Sequence, residues 1–168
     1  MKKKWLKYLI LAGMIVLAIS LMPGLSSGDE TFMKVSQKSK PACKPTQPDA
    51  LGPFYKPDAP LRTRVGEGYL LTGIVKSSET CSPVSGARLE FWLAGPNGQY
   101  DDNHRAAVFS DPSGRYQFES NFPPPYSGRP SHIHIRVSAG GFETLVTQHY
   151  PVSGQSRSAF DLVLIPGK

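Results

Sequence analysis

Charged residues make up only 19% of this 168-residue chain, and cysteine, tryptophan and histidine are scarce at two, two and four. The cysteines form no CxxC pair and have no histidine close by in sequence, so neither has the company of a metal site. Helical periodicity is missing past Gly68, which argues against a helical domain or a coiled coil. Disorder and collagen are poor fits to a chain with 39% hydrophobic and 10% aromatic residues, which suits one compact domain. The formal charge of +6 also weakens on inspection. Four of the 19 basic residues, Lys2, Lys3, Lys4 and Lys7, sit at the extreme N-terminus; without residues 1–28 there remain 15 basic and 13 acidic residues, a net of +2. No nucleic-acid partner is expected.

Glycine and proline are plentiful, sixteen of each, and favour strands joined by many turns. Seven runs read as strands: Tyr69–Lys76, Ala87–Leu93, Ala106–Phe109, Arg115–Glu119, Ile133–Ser138, Thr144–Tyr150 and Phe160–Ile165. Asp111-Pro-Ser-Gly114 reads as a hairpin-type turn between two of them. The expected fold is all-β, an antiparallel β-sandwich of about seven to eight strands with long Pro/Gly-rich loops.

Residues 1–28 read as an export signal: lysines, an apolar stretch from Tyr8 to Met22, then small residues around Ser26–Gly28. An uncleaved membrane anchor is the alternative, and would be the chain's one attachment to a membrane. A flexible polar leader is expected over 29–48 and the sandwich over 49–168. Export to a periplasmic or extracellular space makes Cys43 and Cys81 candidates for one disulfide, with two unpaired thiols as the alternative.

The sharpest local feature is Arg129-Pro-Ser-His-Ile-His134-Ile-Arg-Val137. In a strand, His132 and His134 share one face and Ile133, Ile135 and Val137 the other, so two imidazoles stand close enough to bind one metal ion. A solvated strand face is the bland alternative. Phe122-Pro-Pro-Pro-Tyr126 delivers a tyrosine on a stiff approach just before the histidines, and Tyr100 follows a Gly95-Pro-Asn-Gly-Gln turn. Taken singly, each tyrosine reads as packing or surface. His104 and His149 read as surface residues or as neighbours of a site.

Together these pieces resemble the intradiol ring-cleavage dioxygenases, the group of catechol and protocatechuate 3,4-dioxygenases. The motifs arrive in the family's order: Leu51-Gly-Pro-Phe-Tyr55, Leu71-Thr-Gly-Ile-Val75, Pro83 to Tyr100, Ser110 to Phe118, Pro123-Pro-Pro-Tyr126, Arg129 to His134, and Thr147-Gln148. The resemblance implies one non-haem Fe(III) per chain held by Tyr100, Tyr126, His132 and His134. It implies a catechol substrate and O2, with Tyr126 as ligand and base. Arg129 would stabilise charge on the ring, and Gln148 would be a polar pocket residue. The two residues between Tyr126 and Arg129 make a shorter segment than in protocatechuate dioxygenase β chains. Arg62, Arg64 and Arg105 are candidate cations for a carboxylated substrate. A transthyretin-like sandwich that binds a partner without chemistry is the rival reading, because the same skeleton serves both.

Overall fold

The computed structural model describes residues 42–168. The expected signal and the leader as far as residue 41 lie outside them.

Among the described residues, eight strands form two sheets: β1 (Tyr69–Ser77), β2 (Arg88–Leu93), β3 (Arg105–Phe109), β4 (Arg115–Ser120), β5 (Ile133–Ser138), β6 (Leu145–His149), β7 (Arg157–Ala159) and β8 (Leu162–Leu164). One sheet runs β4-β1-β7 with β8 also on β1; the other runs β3-β2-β5-β6. Every pairing is antiparallel except those of β7 and β8, which run parallel to β1.

Alternation along the strands builds the core. Leu71 and Val75 of β1, Leu89, Phe91 and Leu93 of β2, and Ile133, Ile135 and Val137 of β5 are fully buried. Phe91 and Phe118 stack across the two sheets with ring centroids 4.2 Å apart, which fixes the spacing of the layers.

Three expectations need correction. Asp111–Gly114 is a tight turn, with Gly114 N–H donating to the Asp111 carbonyl at 2.8 Å. It joins β3 to β4, which lie in different sheets, so it is a corner between layers rather than a hairpin. The expected strand Phe160–Ile165 is shorter, and β7 precedes it as a separate piece. At the break, the Phe160 N–H donates to Thr72 O, while the Asp161 carboxylate accepts from Ile74 N–H in place of a backbone carbonyl. Gly73 permits this, because a Cβ there would collide with the Phe160 carbonyl.

The third concerns the end of the expected flexible leader. Cys43 N–H donates to Ser78 O at 3.0 Å, Thr46 N–H to Val163 O at 3.1 Å, and the Thr147 hydroxyl to Gln47 O at 2.8 Å. Cys43 and Cys81 are joined as a disulfide, with Cα atoms 5.3 Å apart. Residues 42–60 thus form a strap fastened at its start to the β1 end and laid over the outer face of the second sheet.

Candidate active site

Strand register sets the site. Across the outer face of the second sheet, Arg105, Trp92, His134 and Gln148 stand in one row, each the direct partner of the next. Such a face would be solvated in a bare sandwich, yet His132 and His134 are 2% and 1% exposed. The strap covers His134, and the Tyr100 and Tyr150 rings flank His132. Gly52 lies against His134 so closely that a Cβ there would come within 2.9 Å of the ring. Tyr55 packs on Trp92 at 5.1 Å, and Trp92 stacks flat on His134 at 4.9 Å. The bland reading of the HxH pair therefore fails.

The two tyrosines arrive from separate loops. Tyr100 leaves the turn closed by Gly95 N–H to Gln99 O at 2.8 Å. The next residue, Asp101, caps a single 3-10 turn (Asp102–His104) by accepting from Asn103 and His104 N–H, and also meets His104 Nδ1 at 2.8 Å. His104 thus anchors the Tyr100 loop. Tyr126 begins a two-residue turn to Arg129, with Ser127 and Gly128 at φ 50° and 76° and paired N–H···O bonds between the turn's ends. Positive φ at both central positions is what allows so short a link to carry Tyr126 and Arg129 side by side.

These segments bring all four rings together. His132 and His134 have centroids 4.8 Å apart, Tyr100 and Tyr126 5.2 Å, and Tyr100 and His134 6.0 Å. Phe54 of the strap backs both tyrosines, stacked on Tyr100 at 4.3 Å and edge-on to Tyr126 at 5.4 Å. The Tyr100 hydroxyl and His132 Nε2 are 2.9 Å apart.

The donor atoms suit a cation. His132 Nδ1 lies 2.7 Å from the Pro130 carbonyl, an arrangement that places the proton on Nδ1 and leaves Nε2 a lone pair facing Tyr100. His134 Nδ1 is buried with no hydrogen-bond partner among the described residues. Burial pushes the His134 pKa down to about 4, with His132 and Arg129 adding to the effect, and burial likewise lowers His132. Both imidazoles are therefore neutral near pH 7. Burial also pushes the Tyr100 phenol up to about 12. Two phenols and two neutral imidazoles could hold one metal ion, with a multivalent cation displacing the phenol protons.

Beside the rings, Arg129 Nη2 donates to Gln148 Oε1 at 2.7 Å. Sequence reasoning missed Asp49 and Tyr150, whose side chains join this pair, and Phe54, Tyr55 and Trp92, which pack around the rings. The Leu51–Tyr55 motif was the one signal pointing to the strap. The three arginines considered for a carboxylated substrate are committed elsewhere. Arg62 donates to the carbonyls of Asp102, Asn103 and Arg105, and Arg64 pairs with Glu119 and Glu67. Arg105 lines a cavity of about 110 Å³ beside Tyr100, but binds Asp102 and the Lys56 and Pro57 carbonyls. His149 is buried on the inner face against Tyr69, so it is a core residue rather than a surface one.

The protein is thus a β-sandwich bearing a cluster of two tyrosines and two histidines on one outer sheet face, beside an arginine–glutamine pair. The comparisons narrow it: the chain resembles the intradiol ring-cleavage dioxygenases. It is 30% identical over 144 residues to an intradiol ring-cleavage dioxygenase of Aspergillus niger, covering 64% of this chain and 45% of the relative. It is 31% identical to a catechol 1,2-dioxygenase of Candida albicans, covering 73% and 52%. The chain thus spans about half the length of the curated relatives it matches. Among solved structures, the dioxygenase domain of a dioxygenase carbohydrate-binding protein fusion from Streptomyces sp. SirexAA-E superposes with a TM-score of 0.67 at 29% identity. That match covers 74% of this chain and 100% of the other. A hydroxyquinol 1,2-dioxygenase from Pseudomonas putida DLL-E4 shares the fold, with a TM-score of 0.66 at 19% identity over 75% of this chain and 68% of that one. No family model matches the chain.

Proposed function

We propose that this chain is an exported non-haem ferric intradiol dioxygenase. It would open a catechol-type ring between its two hydroxylated carbons with both atoms of O2, giving a muconate-type dicarboxylic acid. The observation that carries the reading is the convergence of Tyr100, Tyr126, His132 and His134 from two loops and the start of β5. A sandwich that only binds a partner has no need to assemble these four beside Arg129.

The donor set favours a hard trivalent ion. Two phenolates offset its charge, whereas zinc sites draw on Cys, His and carboxylate and calcium sites on oxygen alone. Ferric iron bound by these four residues would supply a Lewis-acidic centre that draws electron density from a catecholate ring and makes it reactive towards O2.

The chain's own groups then divide the remaining tasks. Burial keeps His132 and His134 neutral, so they present lone pairs rather than positive charge. Phe54 packs on both phenol rings, whose planes stand nearly at a right angle. Tyr126 is only partly buried and sits on the rim turn; as a phenolate it would accept a proton from a substrate hydroxyl. Arg129 stabilises the negative charge that develops on the ring, and Gln148 fixes its guanidinium.

Export belongs to the same proposal. The N-terminal segment would serve as signal or, uncleaved, as the only membrane attachment. The Cys43–Cys81 bond supports this, since oxidising compartments permit such bridges.

The test is metal analysis and a visible spectrum of the purified protein, followed by catechol without oxygen. One equivalent of iron, a tyrosinate-to-iron band that moves when catechol is added, and a ring-opened diacid once air is admitted are the expected results. A colourless protein that takes up no iron when supplied would overturn the reading in favour of the non-catalytic transthyretin-like module.

A further inference from the structure

An arginine side chain carries five N–H donors in a planar fork. In Arg129, among the described residues, only Nη2 has partners: Gln148 Oε1 at 2.7 Å and the Tyr150 hydroxyl at 3.2 Å. Both acceptors are themselves held. Gln148 donates from Nε2 to the Ala50 carbonyl at 2.7 Å, which turns its oxygen towards the guanidinium. Tyr150 has one hydroxyl proton and two acceptors in range, Asp49 Oδ2 at 2.8 Å and Gln148 Oε1 at 3.2 Å. The charged, nearer carboxylate takes it. Asp49 is in turn fixed on the strap. Its Oδ1 accepts from Ala50 N–H at 2.6 Å, and its own N–H donates to Val146 O at 2.9 Å.

The geometry points to Asp49 and Tyr150 as positioning residues for Arg129. With the phenol proton committed to Asp49, the lone pairs of the Tyr150 oxygen are left for Nη2. Two acceptors, Gln148 and Tyr150, then bracket that nitrogen and set the plane of the fork. Nε and Nη1 have no partner among the described residues and remain available to a ligand. The strap thereby contributes to the chemistry through a carboxylate that never touches the substrate. The catalytic consequence rests on the dioxygenase reading; the positioning does not.

A purely structural role, fastening the strap, is the competing explanation, and a double-mutant cycle separates the two. Tyr150→Phe removes the hydroxyl, Asp49→Asn removes the charge while keeping the shape, and Arg129→Leu removes the group being positioned. In the iron-loaded full chain, Tyr150→Phe and Asp49→Asn are each expected to lower kcat for catechol about tenfold. KM should stay within about twofold and the visible band should not move, since the ring cluster is untouched. In the Arg129→Leu background, adding Tyr150→Phe should cost less than about twofold, because there is nothing left to position. A second readout needs no iron. In the metal-free protein, nitrogen NMR of the Arg129 guanidinium should show restricted rotation in the wild type and averaging in Tyr150→Phe. Undiminished kcat in Tyr150→Phe, a full additional loss in the Arg129→Leu background, or an equally restricted guanidinium in both proteins would overturn the proposal. Should the wild type itself fail to turn over catechol, the dioxygenase reading fails while the NMR comparison still decides the positioning.

Discussion

Replacing His149 with glutamine tests how the core responds to acid. His149 is 9% exposed on the inner face of β6, its Nε2 lies 2.7 Å from the Tyr69 hydroxyl, and Phe160 packs on it at 5.3 Å. Burial holds its pKa down to about 4, against an ordinary 6.5. In the unfolded chain the ring gains its proton near pH 6.5; in the folded protein it resists until about pH 4. Between these values the unfolded state binds more protons, so stability rises with pH. The contribution is complete above about pH 6.5, is lost as pH falls towards 4, and changes no further below that. The interval is worth about 3 kcal/mol, a large part of the roughly 5–15 kcal/mol that holds a domain together. A glutamine side chain in its place would not titrate and retains an acceptor for the Tyr69 hydroxyl. Urea unfolding of the metal-free protein between pH 7 and pH 4 should show the wild type losing about 3 kcal/mol more than His149→Gln. His134, also lowered to about 4, is present in both proteins and cancels in the difference. Parallel stability profiles for the two proteins would refute the reasoning, because they would mean that His149 takes its proton equally well in the folded state.

Gly52→Ala should weaken iron uptake in a metal titration and cost about 1–3 kcal/mol in urea unfolding. Its φ is +73° and a Cβ would press within 2.9 Å of the His134 ring. Cys81→Ser, or reduction of the wild type, should lower stability by at most roughly 4 kcal/mol, read as a shift in the urea midpoint that reductant does not add to in the variant. Tyr126→Phe should retain some iron by metal analysis while losing turnover, whereas His132→Ala should lose the metal; normal turnover by His132→Ala would sink the site assignment.

Most of the sandwich could be read from the sequence because most of its strands send an apolar set of alternate residues into the core, even where β2, β3 and β5 are buried on both faces. Ile133, Ile135 and Val137 announce both the strand and its inner side. β7 could not be read in the same way. Arg157-Ser-Ala159 is largely exposed, polar and three residues long, and it exists because β1 offers an edge to pair with rather than because of any pattern of its own. The turn at Asp111–Gly114 shows the converse limit. Its chemistry was legible, down to Gly114 at φ 73°, but turn chemistry does not say whether the next strand returns to the same sheet or crosses to the other.

The site divides along the same line. Tyr100, Tyr126, Arg129, His132, His134 and Gln148 lie in motifs with recognisable residue order, so their convergence could be anticipated. The part played by Asp49 beside Tyr150 and Arg129 could not, because the stretch just before it has the composition of a leader. Polar and proline-rich residues signal flexibility only when nothing lies beside them. Here the stretch lies along β6 and beside β8, whose Val146 and Val163 carbonyls accept from the strap N–H groups of Asp49 and Thr46, while the Thr147 hydroxyl donates to Gln47 O. Once that backbone is fixed, Asp49, Gly52, Phe54 and Tyr55 are delivered to four different parts of the ring cluster and its neighbours. A segment that contributes little to the hydrophobic core thus covers His134, packs on both tyrosines and, through Asp49 and Tyr150, bears on the orientation of Arg129.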